Sequence, residues 1–278
     1  MNGYSSRVNR SNSVLVGAAT QNLSGNDFIA LDMACGPFDV RRSYNGSGDF
    51  TSTGGVPTSF AASNAALDYS AGYVTMYSFK PDIQRVKSGD LDDEILIFLN
   101  SIPAGHRAML SIWHEADGKA RQGTFTVADW KAAFKHFCDL VHSLDDPNLQ
   151  TALILEAYQP TTDPIGTTYA KMWPGPGYVD VFLVDGYTDL GNTGNAVFGK
   201  AASFATLMDV PWGVAEMGQR TGAVDTEWMA EMARYLADHG AVSLVWFNSN
   251  AGGVTPTPGP DLVPRAVAET ISLLLGDE

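Results

Sequence analysis

Ala108-Met-Leu-Ser-Ile-Trp-His-Glu-Ala-Asp-Gly118 opens as a short apolar run and closes on three ionisable residues, His114, Glu115 and Asp117. The apolar part suits a strand buried on both faces, as in a parallel sheet. A buried strand that delivers ionisable groups at its C-terminal end is how a parallel barrel presents catalytic side chains. Two questions follow: whether the remaining chain supplies enough strands to close a barrel, and whether a second carboxylate arrives opposite Glu115.

Working outward, further strand-like stretches fall at 13–19, 37–44, 72–79, 149–158, 179–187, 212–217 and 242–248. Between and after them, helices are expected over 26–35, 58–67, 90–99, 126–144, 196–208, 225–239 and 262–275. The clearest is 126–144, where Trp130, Ala133, Phe134, Phe137, Cys138 and Val141 recur at three- and four-residue spacing. Ser88 is expected to cap the helix over 90–99, with Asp92, Asp93 and Glu94 favouring its N-terminal dipole. Short strands alternating with helices predict an α/β protein, a single (β/α)8 TIM barrel. The 278 residues suit that fold, which commonly takes about 250. A doubly wound open sheet would ordinarily carry a glycine-rich phosphate turn after its first strand, and Gly17-Ala-Ala-Thr-Gln21 lacks the G-x-G-x-x-G spacing. No linker or composition break divides the chain. The expected organisation is a polar leader over 1–12, without the apolar core of a signal peptide, and one catalytic domain over 13–278.

Formal net charge is −14, from 17 basic and 31 acidic residues. Nucleic acid is therefore not an expected partner, because phosphate contacts need a basic face. Neutral ligands are unaffected. No apolar run approaches the ~20 residues of a membrane helix, so no membrane insertion is expected. Cys35 and Cys138 are too few for a disulfide framework or a cysteine-rich metal site, and are read as buried small hydrophobes. Neither a metal nor a cofactor is expected. Composition leaves the compartment open.

The ends of the strands carry the candidate chemistry. The second offers Arg41, Arg42 and Tyr44, the third Tyr77 and Lys80, the fourth Trp113, His114, Glu115 and Asp117. The fifth offers Glu156 and Tyr158, the sixth Asp185 and Tyr187, the seventh Glu216, the eighth Trp246, Asn248 and Asn250. Taken singly, a strand-end Glu is more often a loop ion pair, Trp246 a core residue and Tyr187 a buried phenol. Together, carboxylates on the fourth and seventh strands with aromatic groups beside them suit glycoside hydrolysis. One carboxyl protonates the leaving oxygen while the other attacks the anomeric carbon or activates water.

Three motifs carry a family resemblance: Ile112-Trp-His-Glu-Ala-Asp-Gly118, Trp173-Pro-Gly-Pro-Gly-Tyr-Val-Asp-Val-Phe-Leu-Val-Asp-Gly-Tyr187 and Val214-Ala-Glu-Met-Gly218. They resemble glycoside hydrolase family 26, of the clan of retaining barrel glycosidases. The resemblance implies Glu115 as general acid/base and Glu216 as nucleophile. It implies Tyr187 as the hydrogen-bond partner of that nucleophile, His114 as a neighbour of the acid/base and Trp246 as a sugar platform. Trp113, Arg41, Lys80 and Asn248 complete the expected substrate-binding set. Where the family's mannanases continue with Met-Asn-Gly and a Trp-rich loop, this chain has Ala116 to Arg121. Lys80 follows Phe79 where the family has a strand-three histidine. The motifs thus imply the carboxylate pair without implying mannan.

The expected activity is a retaining glycoside hydrolase on a neutral polysaccharide or oligosaccharide. The alternative is a carbohydrate-binding barrel without turnover, such as a virus tail or cell-wall adhesion module. A Schiff-base lyase or aldolase would need a strand-end lysine, for which Lys80 alone qualifies.

Overall fold

A computed structural model describes residues 14–20, 25–45, 54–188, 192–219 and 226–248. The leader over 1–12, Asn250 and the helix expected over 262–275 lie outside the described residues.

Eight parallel strands close in sequence order: β1 (Leu15–Thr20), β2 (Val40–Asn45), β3 (Val74–Phe79), β4 (Ala108–Ile112), β5 (Leu149–Glu156), β6 (Val181–Thr188), β7 (Trp212–Gln219) and β8 (Ser243–Asn248). β8 returns to β1 in continuous register from Leu15 and Ser243 to Thr20 and Asn248. The barrel is closed. Around it run α1 (Gly25–Cys35), α2 (Asp68–Ala71), α3 (Ile83–Ser88), α4 (Asp92–Asn100), α5 (Ala116–Arg121), α6 (Val127–His142), α7 (Tyr169–Met172), α8 (Gly194–Met208) and α9 (Thr226–Asp238). Among the described residues no helix is long and apolar enough to cross a membrane.

Strand side chains alternate faces with period two, which divides the apolar residues into two layers. Val40, Met76, Met109, Ala152, Ile154, Val181, Leu183, Ala215 and Val245 fill the barrel interior. The larger outer layer lies between strands and helices, and includes Tyr77, Phe79, Phe98, Phe134, Phe137 and Phe182. All six periodic residues of α6 are buried in it, and the Thr126 side chain caps that helix at Asp129 N.

One helix and one helix cap need correction. Residues 58–67 form turns, and the helix begins only at Asp68. Ser59 and Ser63 hydroxyls bond locally, to the Ala62 and Ala65 amides at 3.2 and 3.1 Å, and such bonds compete with helical ones. The helix expected over 90–99 is preceded by α3, whose N-cap is Asp82, accepting from Gln84 N and Arg85 N. Gly89 ends α3 at φ +84°, and α4 starts at Asp92. Ser88 caps nothing; its hydroxyl donates to Asp90 Oδ2 at 2.8 Å.

Arg41 and Asp68 staple β2 to the outer layer. Both are about 1% exposed, with Nη1 to Oδ1 at 2.8 Å, and Nη1 also donates to Asn64 O at 2.6 Å. Thr75 donates to the other Asp68 oxygen at 2.8 Å. Removing one member of a buried pair strands the other without a counter-charge, which costs about 3–5 kcal/mol. Arg41→Ala should therefore lower unfolding stability by that amount in urea titration; a loss under about 1 kcal/mol, the range of exposed pairs, would contradict it.

Candidate active site

The period of two decides what reaches the mouth of the barrel. From Val40 the inward face of β2 continues through Arg42 to Tyr44; from Met76, β3 continues to Ser78. From Ile154, β5 continues to Glu156, and from Leu183, β6 continues through Asp185 to Tyr187.

Glu216 breaks this parity. Val214 and Met217 both pack in the outer layer, three residues apart, while Ala215 faces inward. The register explains it: Val184 pairs with Val214, then Asp185 with Glu216, so Ala215 is an extra residue in β7. Such a bulge re-aims the side chain that follows it. Glu216 is thereby turned inward, 5% exposed, where it accepts a short hydrogen bond from the Tyr187 hydroxyl.

Glu115 arrives differently. β4 ends at Ile112, and both Trp113 and Glu115 then take φ +53°, a left-handed conformation uncommon outside glycine. Strain of this kind, of order 1–3 kcal/mol per residue, persists only where the surroundings hold it. Trp113 N–H donates to Phe79 O at 2.9 Å and Glu115 N–H to Ile154 O at 3.1 Å, pinning the turn to β3 and β5. The Glu115 carboxyl is half-buried. Its pKa is pushed up to about 7, first by burial, then by the charges of Glu216 and Glu156, with Lys119 and Arg42 pulling the other way.

A polar chain runs from Glu216 to His114, the residue before Glu115. Arg42 Nη2 lies 3.4 Å from Glu216 Oε1, and Nη1 donates to Ser78 Oγ at 3.0 Å. Ser78 Oγ is in turn 2.7 Å from His114 Nδ1. Burial, then Arg42, Lys80 and Lys119, hold the His114 pKa well below its ordinary value, so the ring is neutral. Tyr44 covers this chain, its ring 4.3 Å from the Arg42 guanidinium carbon and 5.2 Å from the imidazole.

Asp185, 3% exposed, stands beside Glu216 across the strand pair. Burial, then the Glu216 charge, push its pKa well above the carboxylate range. Both its oxygens, with Glu216 Oε1 and Arg42 Nε and Nη2, are buried without a hydrogen-bond partner among the described residues.

The stretch from Ala116 to Arg121 forms α5, which braces β5. Arg121 pairs with Glu156, donates to Thr167 Oγ1 at 3.1 Å and lies 3.5 Å from Asp117 Oδ2. Asp117, fully buried, accepts from Glu156 N at 3.1 Å, and burial raises its pKa to about 7. A Cβ on Gly118 would collide with Glu156 Oε1, so glycine allows α5 its close approach to β5. From Glu115 a cleft of about 620 Å³ opens over the ends of β5 and β6, lined among others by Glu156, Tyr158, Gln159, Tyr187 and Lys200.

Of the expected site residues, Glu115, Glu216, His114 and Tyr187 converge. Lys80 stands half-buried at the end of β3, 5.8 Å from the Trp113 ring. Trp113 walls that side, its indole N–H donating to Pro81 O at 2.7 Å and its ring against Phe125. Arg41 does not reach the site, because it lies on the outward face of β2 against Asp68. Trp246 does not reach it either. It is 3% exposed in the outer layer, in register with outward-facing Ala18, and Asn248 follows on the same face of β8. The inward aromatic of β8 is Phe247, its ring 5.6 Å from that of Tyr187. Counting alternation from Val40 and Val245 identifies Arg42 and Phe247 in the sequence; no comparable signal marks the β7 bulge.

No protein-family model matches the chain, and neither does any curated protein sequence. Solved structures do. A GH26 beta-mannanase from Bacteroides ovatus superposes with a TM-score of 0.63 at 15% identity, over 93% of this chain and 87% of that one. The chain has the same fold. An exo-beta-1,4-mannosidase from Opitutaceae bacterium strain TAV5 gives a TM-score of 0.64 at 14% identity, over 94% of this chain and 60% of the other. GH26A from a Muricauda species gives 0.57 at 13%, over 93% and 89%.

The coupling between the carboxylates is measurable without substrate. In Glu216→Gln, carboxyl-carbon NMR titration should show the Glu115 midpoint falling below about 7, because a negative neighbour has gone. An unmoved midpoint would exclude electrostatic contact between them.

Proposed function

We propose that the protein is a retaining glycoside hydrolase acting on a polysaccharide or oligosaccharide. The observation that carries this is the unequal environment of two carboxyls at one barrel mouth. Glu115 keeps its proton up to about pH 7, whereas Glu216 faces a buried guanidinium and a phenol. One carboxyl poised as an acid and another set beside a cation and a phenol is the arrangement such hydrolysis uses.

In the first step the Glu216 carboxylate attacks the anomeric carbon while Glu115 gives its proton to the departing glycosidic oxygen. In the second, Glu115, now ionised, takes a proton from water, and that water displaces Glu216 from the sugar. Tyr187 donates to the Glu216 oxygen that does not attack and fixes the carboxylate plane. The half-buried His114 ring supplies hydrogen-bonding capacity of the kind sugar hydroxyls use.

Product anomers followed by proton NMR during glycan hydrolysis should retain configuration; inversion would sink the nucleophile assignment. Glu216→Ala should abolish turnover, and Glu115→Gln should slow cleavage of unactivated glycans by about 100- to 10,000-fold. Because Glu115 must be protonated in the first step, kcat/KM should fall as pH rises through about 7. A rate flat from pH 6 to about 9 would remove Glu115 from the acid role.

A second reading, a carbohydrate-binding barrel without turnover, draws on the withdrawal of Trp246 from the cleft. A glycan screen separates the two, since binding without new reducing ends favours the module.

A further inference from the structure

Not every charge around Glu115 sits in an ion pair. Arg42 is matched by Glu216, and Arg121 by Glu156. Two lysines at the same mouth make no ion pair with a described residue. Lys119, on α5, is half-buried, and its ammonium bonds among the described residues only the neutral Gln122 Oε1, at 3.3 Å. Lys80 is half-buried, and its ammonium makes no hydrogen bond or ion pair with any described residue; its nearest partner is the Trp113 ring face.

An ammonium carries three donors and is strongly hydrated, so half-burying it without an acceptor costs free energy. Cation–π contact at 5.8 Å to a partly exposed ring recovers only a small part of that cost. Burial, then the Lys119 charge, lower the Lys80 pKa, with Arg42 adding to the effect and Glu115 and Glu216 opposing it. In the acid step Glu115 is protonated and its share of that opposition is lost. An anion beside Lys80 and Lys119 supplies the acceptors both ammonium groups lack and offsets their mutual repulsion.

We propose that the glycan bound here carries an anionic substituent, a carboxylate or a sulfate, held by Lys80 with Lys119 beside it. This rests on the reading of the site as a carbohydrate site, and it replaces the neutral glycan expected from net charge. A net charge of −14 repels polyanions at long range, but at physiological salt such fields decay over about 8 Å. Within that distance the two unmatched lysines govern. Lys200 adds a cation to the cleft wall beyond Glu115, which Glu156 and Asp185 also line.

The test reads binding, so that it does not depend on catalysis. The full chain carrying Glu115→Gln, isosteric with the protonated acid, is titrated calorimetrically with a uronic-acid oligosaccharide, a sulfated one and a neutral one of equal length. At least one acidic oligosaccharide should bind roughly tenfold or more tighter than the neutral one. Adding Lys80→Gln should erase that advantage, lowering the ratio of acidic to neutral affinity roughly tenfold. Equal affinity for neutral and acidic glycans, or an equal loss of both in Lys80→Gln, overturns the proposal. The two acidic arms distinguish a planar carboxylate from a sulfate. Cleavage of neutral glycans alone by the wild type would overturn this proposal and leave the hydrolase reading standing. Selective acidic binding with no new reducing ends would do the reverse.

Discussion

Arg42 sits on the inward face of β2, essentially without solvent, between Glu216 at 3.4 Å and the Ser78 hydroxyl at 3.0 Å. A buried charge is tolerable only with a counter-charge and hydrogen bonds close by. Arg42 therefore demands an anion at the top of β7 and a polar side chain at the top of β3. Ser78 passes the constraint on to His114, and Tyr44 closes over both. The site is assembled around the cation, with the carboxylate answering it.

That demand makes the local irregularities intelligible. A regular β7 would turn Glu216 into the apolar outer layer, where an ionised carboxylate has no partner. The extra residue at Ala215 turns it toward Arg42 and Tyr187 instead. At β4, two left-handed residues carry the chain over the rim so that Glu115 meets the same space from the other side. Both departures from regular geometry occur at the two carboxylates, and the surrounding strands hold them through backbone hydrogen bonds. The α5 network serves the same end, since Arg121 engages Glu156 and Asp117 and keeps β5 under the turn that bears Glu115.

Environment then separates groups that chemistry alone would leave alike. Glu115, Asp117, Asp185 and Glu216 are all carboxyls within one barrel mouth. Burial raises the first three, while Glu216 is the one beside Arg42. The same comparison of partners exposes Lys80 as a cation without an ion pair among the described residues, in a protein whose overall charge is strongly negative.

Most of the fold was legible in the sequence, because hydrophobic alternation and helical spacing are local properties. The eight strands fall where the apolar stretches predicted them, and α6 buries the face its periodicity marked. The helix over 58–67 was misplaced and α3 was not anticipated, because serine and aspartate side-chain bonds, rather than the apolar pattern, shape the chain before α2 and cap α3. The motifs around Glu115, Tyr187 and Glu216 were legible as well, since each lies at a strand end and strand ends gather at one rim. The sequence by itself determined the strand order and which chemical groups stand at the mouth. The tertiary structure decided which of them face inward: Arg42 and not Arg41, Phe247 and not Trp246. Parity along each strand is a one-residue matter, and for Glu216 it depends on a bulge that no local pattern announces. Only closure of the barrel sets the partners, and the partners set which carboxyl keeps its proton.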